Sequence, residues 1–140
     1  MKSPLLLLLI VVLSCSMLQT GSTPEEAAED LISRYIEAYE SKNKTLFDDV
    51  VMEPFIIYQC NRSVEFSHEQ IFKMALDSNQ TVPAHKITDV RENENKTMIW
   101  FNVLWTMNRT RSFEAEAVLD DGIWRLKSQK MDCYITKSDA

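Results

Sequence analysis

The chain has 140 residues, enough for one domain with a core of its own and too few for two. It is 45% hydrophobic and 26% charged, a globular composition without a low-complexity tract. A net charge of −6 with no cluster of Lys and Arg argues against a nucleic-acid partner, which needs basic residues gathered on one face.

The first element is a leader. Lys2 precedes the apolar run LLLLLIVVL at residues 5–13, and small and polar residues follow over 14–22, the layout of a secretory signal peptide. The run falls well short of the ~20 apolar residues that span a bilayer, so no membrane attachment is expected once residues 1–22 are removed. Cleavage after Ser16 and cleavage after Ser22 both fit the pattern. The remainder, residues 23–140, is expected to be one domain, secreted and extracellular.

The mature chain opens on Thr23-Pro24-Glu25-Glu26, which supplies an N-cap, a proline at the first helical position and a capping-box glutamate. Ala27, Ala28, Leu31, Ile32, Tyr35, Ile36 and Tyr39 then recur on one helical face. A polar stretch precedes a short helix predicted over 45–51, which Pro54 is expected to end. The β-branched and aromatic run FIIYQC at 55–60 predicts a strand. Ser67-His68-Glu69-Gln70 is a second capping box, opening a helix through Ile71, Phe72, Met74, Ala75 and Leu76 that stops near Asn79.

Strands joined by turns make up the rest. Residues 85–91 predict one strand and 97–107 another, with Ile99, Phe101, Val103, Trp105 and Met107 on a single face. Residues 92–95 and 108–111 are expected to turn the chain. Phe113, Ala115, Ala117 and Leu119 alternate with Ser112, Glu114 and Glu116, a half-buried strand. Asp121-Gly122 marks a tight hairpin, and residues 123–135 complete the sheet with Trp124 and Leu126 in the core and Cys133 near the end. Helices segregated from an antiparallel meander define an α+β domain.

Five of the seven asparagines lie in sequons: Asn43, Asn61, Asn79, Asn95 and Asn108. Beside the leader they predict an N-glycosylated protein, with these positions at exposed turns and element ends. Cys15 leaves with the leader, and the remaining Cys60 and Cys133 are expected to form one disulfide in an oxidising compartment. Two Cys and two distant His lack zinc-ligand spacing, so no metal is expected.

The order of elements, the opening amphipathic helix and two local stretches resemble the nuclear transport factor 2-like family. One stretch is YIEAYESKNKTLF at residues 35–47, a helix breaking into a short second helix. The other is DDGIWRLK at residues 120–127, an aspartate–glycine hairpin running into a tryptophan strand. The resemblance spans residues 23–136. It implies helices packed on a strongly curved antiparallel sheet that forms a conical cavity. Relatives use that cavity for isomerase or dehydratase chemistry, for small-ligand binding or as plain core, so fold does not fix function here.

The chemistry-bearing residues are few. Gly21 and Gly122 are the only glycines, which excludes phosphate-cradling loops, dinucleotide fingerprints and a nucleophile elbow, and no cofactor is expected. His68 is expected to sit exposed in the first turn of its helix. His85, with Asp89 or a tyrosine, would resemble the acid/base groups of isomerase-type relatives, but the sequence fixes no second group beside it and no catalytic residue is assigned. Tyr35, Tyr39, Tyr58, Trp105 and His85 are candidate cavity-lining residues. Trp100 and Leu104 share the strand parity of Asn102, on the outer face of the sheet, and an apolar patch there would be a candidate homodimer interface.

Three functions compete on this basis. A non-catalytic binding protein would hold a small apolar ligand in the cavity or a protein partner on the sheet face. An isomerase- or dehydratase-like enzyme would need a buried carboxylate or His with a perturbed pKa in the cavity. A cystatin-type inhibitor would need a glycine-bearing hairpin such as Gln-x-Val-x-Gly, which the chain lacks. The sequence favours the first.

Overall fold

The computed structural model describes residues 21–79, 81–82, 84–106 and 110–131. Residues 1–20, most of the predicted leader, therefore lie outside the described residues, as do Met107, Asn108 and Cys133.

Helix α1 (Pro24–Ser41) starts at the capping box. The Thr23 hydroxyl accepts from the Glu26 N–H at 3.2 Å, and the Glu26 carboxylate accepts from the Thr23 N–H at 2.9 Å. The helix buries Ala27, Ala28, Leu31, Ile32 and Ala38 and ends at Lys42, whose φ of 54° is the left-handed cap. Asn43 caps helix α2 (Lys44–Val50), which buries Phe47 and Val50.

The chain passes straight from α2 into β1 (Val51–Gln59), four residues earlier than the sequence predicts. Pro54 is thus a strand residue. It fits because β1 shifts register against its neighbour between Val51 and Ile56, and a residue without an N–H is tolerated at such an irregularity. The sequence also predicts no strand at β2 (Arg62–Phe66), where all but Phe66 are exposed. An edge strand with two wet faces carries no alternation to read. Helix α3 (His68–Asp77) opens at the predicted Ser67–Gln70 capping box.

Strands β3 (Ala84–Glu92), β4 (Met98–Thr106), β5 (Thr110–Asp120) and β6 (Ile123–Met131) form the meander. The six-stranded order is β2-β1-β6-β5-β4-β3, antiparallel throughout except where β1 and β6 run parallel. Irregularities at Thr88/Arg91 and Glu116/Ala117 add to the one in β1, and such bulges bend and twist a sheet. Asp121 and Gly122 both have positive φ, the conformation a two-residue hairpin requires. The core lies between α1, α2 and the inner sheet face, with Phe47, Phe101, Leu31, Ile32, Ile99 and Val103 fully buried. Leu119 departs from the predicted inward alternation: it is exposed beside the hairpin turn, as are Asp120 and Ile123, because solvent reaches both faces there.

Candidate functional site

A cavity of about 260 Å³ opens between α1 and the inner face of the sheet. Helical periodicity places Tyr35 and Tyr39 one turn apart, and both line it. From the sheet, Trp105 on β4 and Phe113 on β5 supply the facing wall, their rings stacked at 5.7 Å and 23°. Tyr35 lies 6.4 Å from Tyr39 and 5.7 Å from Phe47. Ala115 and Leu126 lie deeper, and Arg111, Ser112 and Gln129 contribute polar groups. The cavity persists where β5 presents the small side chain of Ala115 inward after the large one of Phe113.

Removal from water pushes the Tyr35 phenol up to about 12, with the neighbouring Tyr39 adding to the effect. The hydroxyl stays neutral at physiological pH and is a hydrogen-bond donor to whatever enters. Lys42 stands 4.3 Å above the Tyr39 ring. Its ammonium is committed elsewhere, donating to the carbonyls of Ala75 at 2.5 Å and Ser78 at 3.4 Å, which ties the end of α1 to the end of α3.

Tyr35, Tyr39 and Trp105 therefore come together as the sequence predicts. Tyr58 does not: it is 42% exposed and absent from the lining, since Phe55 and Ile57 take the inward positions of β1. His85 lies outside the lining, beside Trp105 on the same sheet face and 6.1 Å from its ring, with Nε2 3.8 Å from the Glu29 carboxylate of α1. Asp89 gives it no partner. That residue sits in the β3 bulge with φ 53° and accepts from the Asn102 amide at 2.9 Å. Phe113 and Arg111 complete the site. Arg111 falls in a predicted turn, yet β5 begins at Thr110 and pairs Arg111 with Trp105, on the same face.

His68 corrects its expected exposed placement. It is partly buried, its Nε2–H donates to the Val51 carbonyl at 2.5 Å, and its Nδ1 lies 3.6 Å from Asp48 and 3.5 Å from Glu53. It fastens α3 to the α2–β1 junction.

The outer sheet face also differs from expectation. Trp100 and Leu104 point outward but form no apolar patch. The Trp100 indole N–H donates to Glu116 at 2.9 Å, and Arg91–Glu114 and Lys127–Glu116 pairs at 2.6 and 2.8 Å surround it. Leu104 borders a hollow of about 430 Å³ shared with Asp89, Asn102, Glu114 and Lys130. Among the described residues no group of His, Cys, Asp and Glu is arranged to hold a metal, and no helix is long and apolar enough to cross a membrane.

The four described sequon asparagines, Asn43, Asn61, Asn79 and Asn95, are all exposed and stand at a cap, turns or an element end. Asn108 lies outside the described residues. Cys60, in the β1–β2 turn, takes part in a disulfide.

The sequence model of the NTF2-like domain matches residues 25–134, most of the chain. The chain belongs to the NTF2-like family. Solved structures agree on the fold. An NTF2-like protein of unknown function from Silicibacter pomeroyi is 15% identical with a TM-score of 0.59, covering 76% of this chain and 92% of its own. An NTF2-like protein from Cytophaga hutchinsonii is 11% identical with a TM-score of 0.59, covering 78% and 97%. A protein provisionally described as a ketosteroid isomerase from Shewanella frigidimarina is 8% identical with a TM-score of 0.56, covering 78% and 97%. No curated protein matches the chain.

Proposed function

We propose that this chain is a secreted, glycosylated binding protein that holds a small apolar ligand in the cavity between α1 and the sheet. The lining carries the reading: aromatic and aliphatic walls, polar groups from a few residues, and no Asp, Glu or His among the described residues that line it. Small-ligand sites are mostly apolar with a few placed polar groups, and this cavity lies just below their usual range of roughly 300–1,000 Å³. The ligand is accordingly small.

An isomerase- or dehydratase-like enzyme is the second reading, supported by the fold shared with the Shewanella protein. A general base must reach the proton it abstracts, and His85, beside Trp105 on the same sheet face, is outside the lining and faces Glu29. That placement favours binding over proton transfer.

Secretion and glycosylation rest on the leader pattern and the exposed sequons. A Cys60–Cys133 disulfide suits the sheet register, which pairs Gln59 with Met131, one and two residues short of the two cysteines. The test is native mass spectrometry of protein secreted from eukaryotic cells, non-reduced, before and after deglycosylation. The expected species is a glycosylated, disulfide-intact chain carrying a small molecule that is lost on denaturation. A chain that keeps its leader, bears no glycan and has free thiols overturns the secretory reading. A ligand-free dimer overturns the cavity reading and moves function to the outer sheet face.

A further inference from the structure

The cavity has a charge that plain ligand enclosure does not use. Arg111 lines it on β5, and the ladder sets it directly opposite Trp105, so both side chains belong to the inner face. Several cations elsewhere in the fold are paired, Arg34 with Asp30, Arg91 with Glu114, Arg125 with Asp120 and Lys127 with Glu116, and Lys42 donates to carbonyls. Arg111 forms no ion pair with any described carboxylate. In a chain of net charge −6, an uncommitted guanidinium on an aromatic cavity is out of keeping with its surroundings.

We infer that the ligand is a small carboxylate with an apolar, ring-bearing body, its ring among Tyr35, Trp105 and Phe113 and its carboxylate on Arg111. The inference rests on the binding function proposed above and names its ligand class. Three physical reasons support it. Aromatic walls favour a flat apolar body through offset and edge contacts. A guanidinium presents a planar fork that matches a carboxylate with two parallel N–H···O bonds. Arg111 itself is exposed, so the head group keeps part of its hydration while the body is withdrawn from water. A neutral alcohol or ketone of the same shape would fill the walls and leave Arg111 without a role.

Hydrocinnamate and hydrocinnamyl alcohol differ only at this head group and probe the point directly. Titrated into the secreted full-length protein, with binding followed by tryptophan fluorescence, the carboxylate is expected to bind about tenfold more tightly than the alcohol, the scale of one charge-assisted contact. The advantage should shrink with added salt and vanish in Arg111→Gln, where the two probes should bind equally. Equal binding of the two probes, or an advantage that survives Arg111→Gln, overturns the carboxylate inference and leaves the cavity reading standing. Failure of both probes to bind overturns the two together. Because Arg111 is exposed at the start of its strand, the variant should keep the native circular dichroism spectrum.

Discussion

Strands β4 and β5 present two faces of opposite character, built from alternate residues of the same segments. Inward go Ile99, Phe101, Val103 and Trp105, facing Ala117, Ala115 and Phe113. Outward go Trp100, Asn102 and Leu104, facing Glu116, Glu114 and Ser112. The inner face is apolar from Ile99 to Val103 and holds the fold together, and it leaves a cavity where small Ala115 follows large Phe113. The outer face is a lattice of ion pairs and hydrogen bonds, each worth little in water. The difference puts the packed core and the cavity on one side of the sheet, and the charged, solvated groups on the other.

The largest effect expected from breaking this contrast comes from Phe101→Ala, which removes a fully buried ring and should cost about 3–5 kcal/mol in a denaturant titration. Ala115→Leu would extend the inner face into the cavity. It should cost about 1–3 kcal/mol through overpacking and abolish ligand binding, whereas retained binding would place the ligand elsewhere. Titration sharpens the same point. With Tyr35 raised from 10.0 to about 12, one of the four tyrosines should ionise late in an ultraviolet pH titration, and Tyr35→Phe should delete that phase. Since the neutral phenol is the favoured form in the fold, its contribution to stability is complete below pH 10 and lost as pH rises through about 12. The smallest effect belongs to the outer face: Glu114→Gln, which breaks a solvent-exposed pair with Arg91, should change stability by about 0.5 kcal/mol or less.

Local signals were legible in the sequence. The capping boxes at Thr23 and Ser67 declare helix starts because each closes within four residues, and the alternation of β4 and β5 declares a sheet buried on one side. The β1–β6 pairing was not legible, since it joins strands far apart in the chain and leaves no local mark. Pro54 reads as a stop only while the register irregularity that accommodates it is unknown. In the cavity, Tyr35, Tyr39 and Trp105 were legible because they belong to strongly periodic elements. Tyr58 misleads because aromatic character says nothing of which face a strand residue takes. Arg111 escapes notice because a charged residue after a sequon looks like a turn. Trp100 suggests a sticky patch until its indole N–H is seen to meet Glu116.

The parallel β1–β6 pairing has a consequence for how the chain is made. β1 and β2 leave the ribosome before the meander, yet only β6, the last described strand, joins them to it. A nascent chain can therefore form two separate sheets, a hairpin and a three-stranded ribbon, but not the single six-stranded sheet. Such long-range closure is slow, because chain entropy is spent before the contacts that reward it exist. The cavity draws on both pieces, with Phe55 from β1 and Trp105 and Phe113 from the ribbon. A stalled or truncated product lacking β6 would thus lack the wall of Leu126, Ser128, Gln129 and Met131, and only a chain that includes β6 would enclose the cavity.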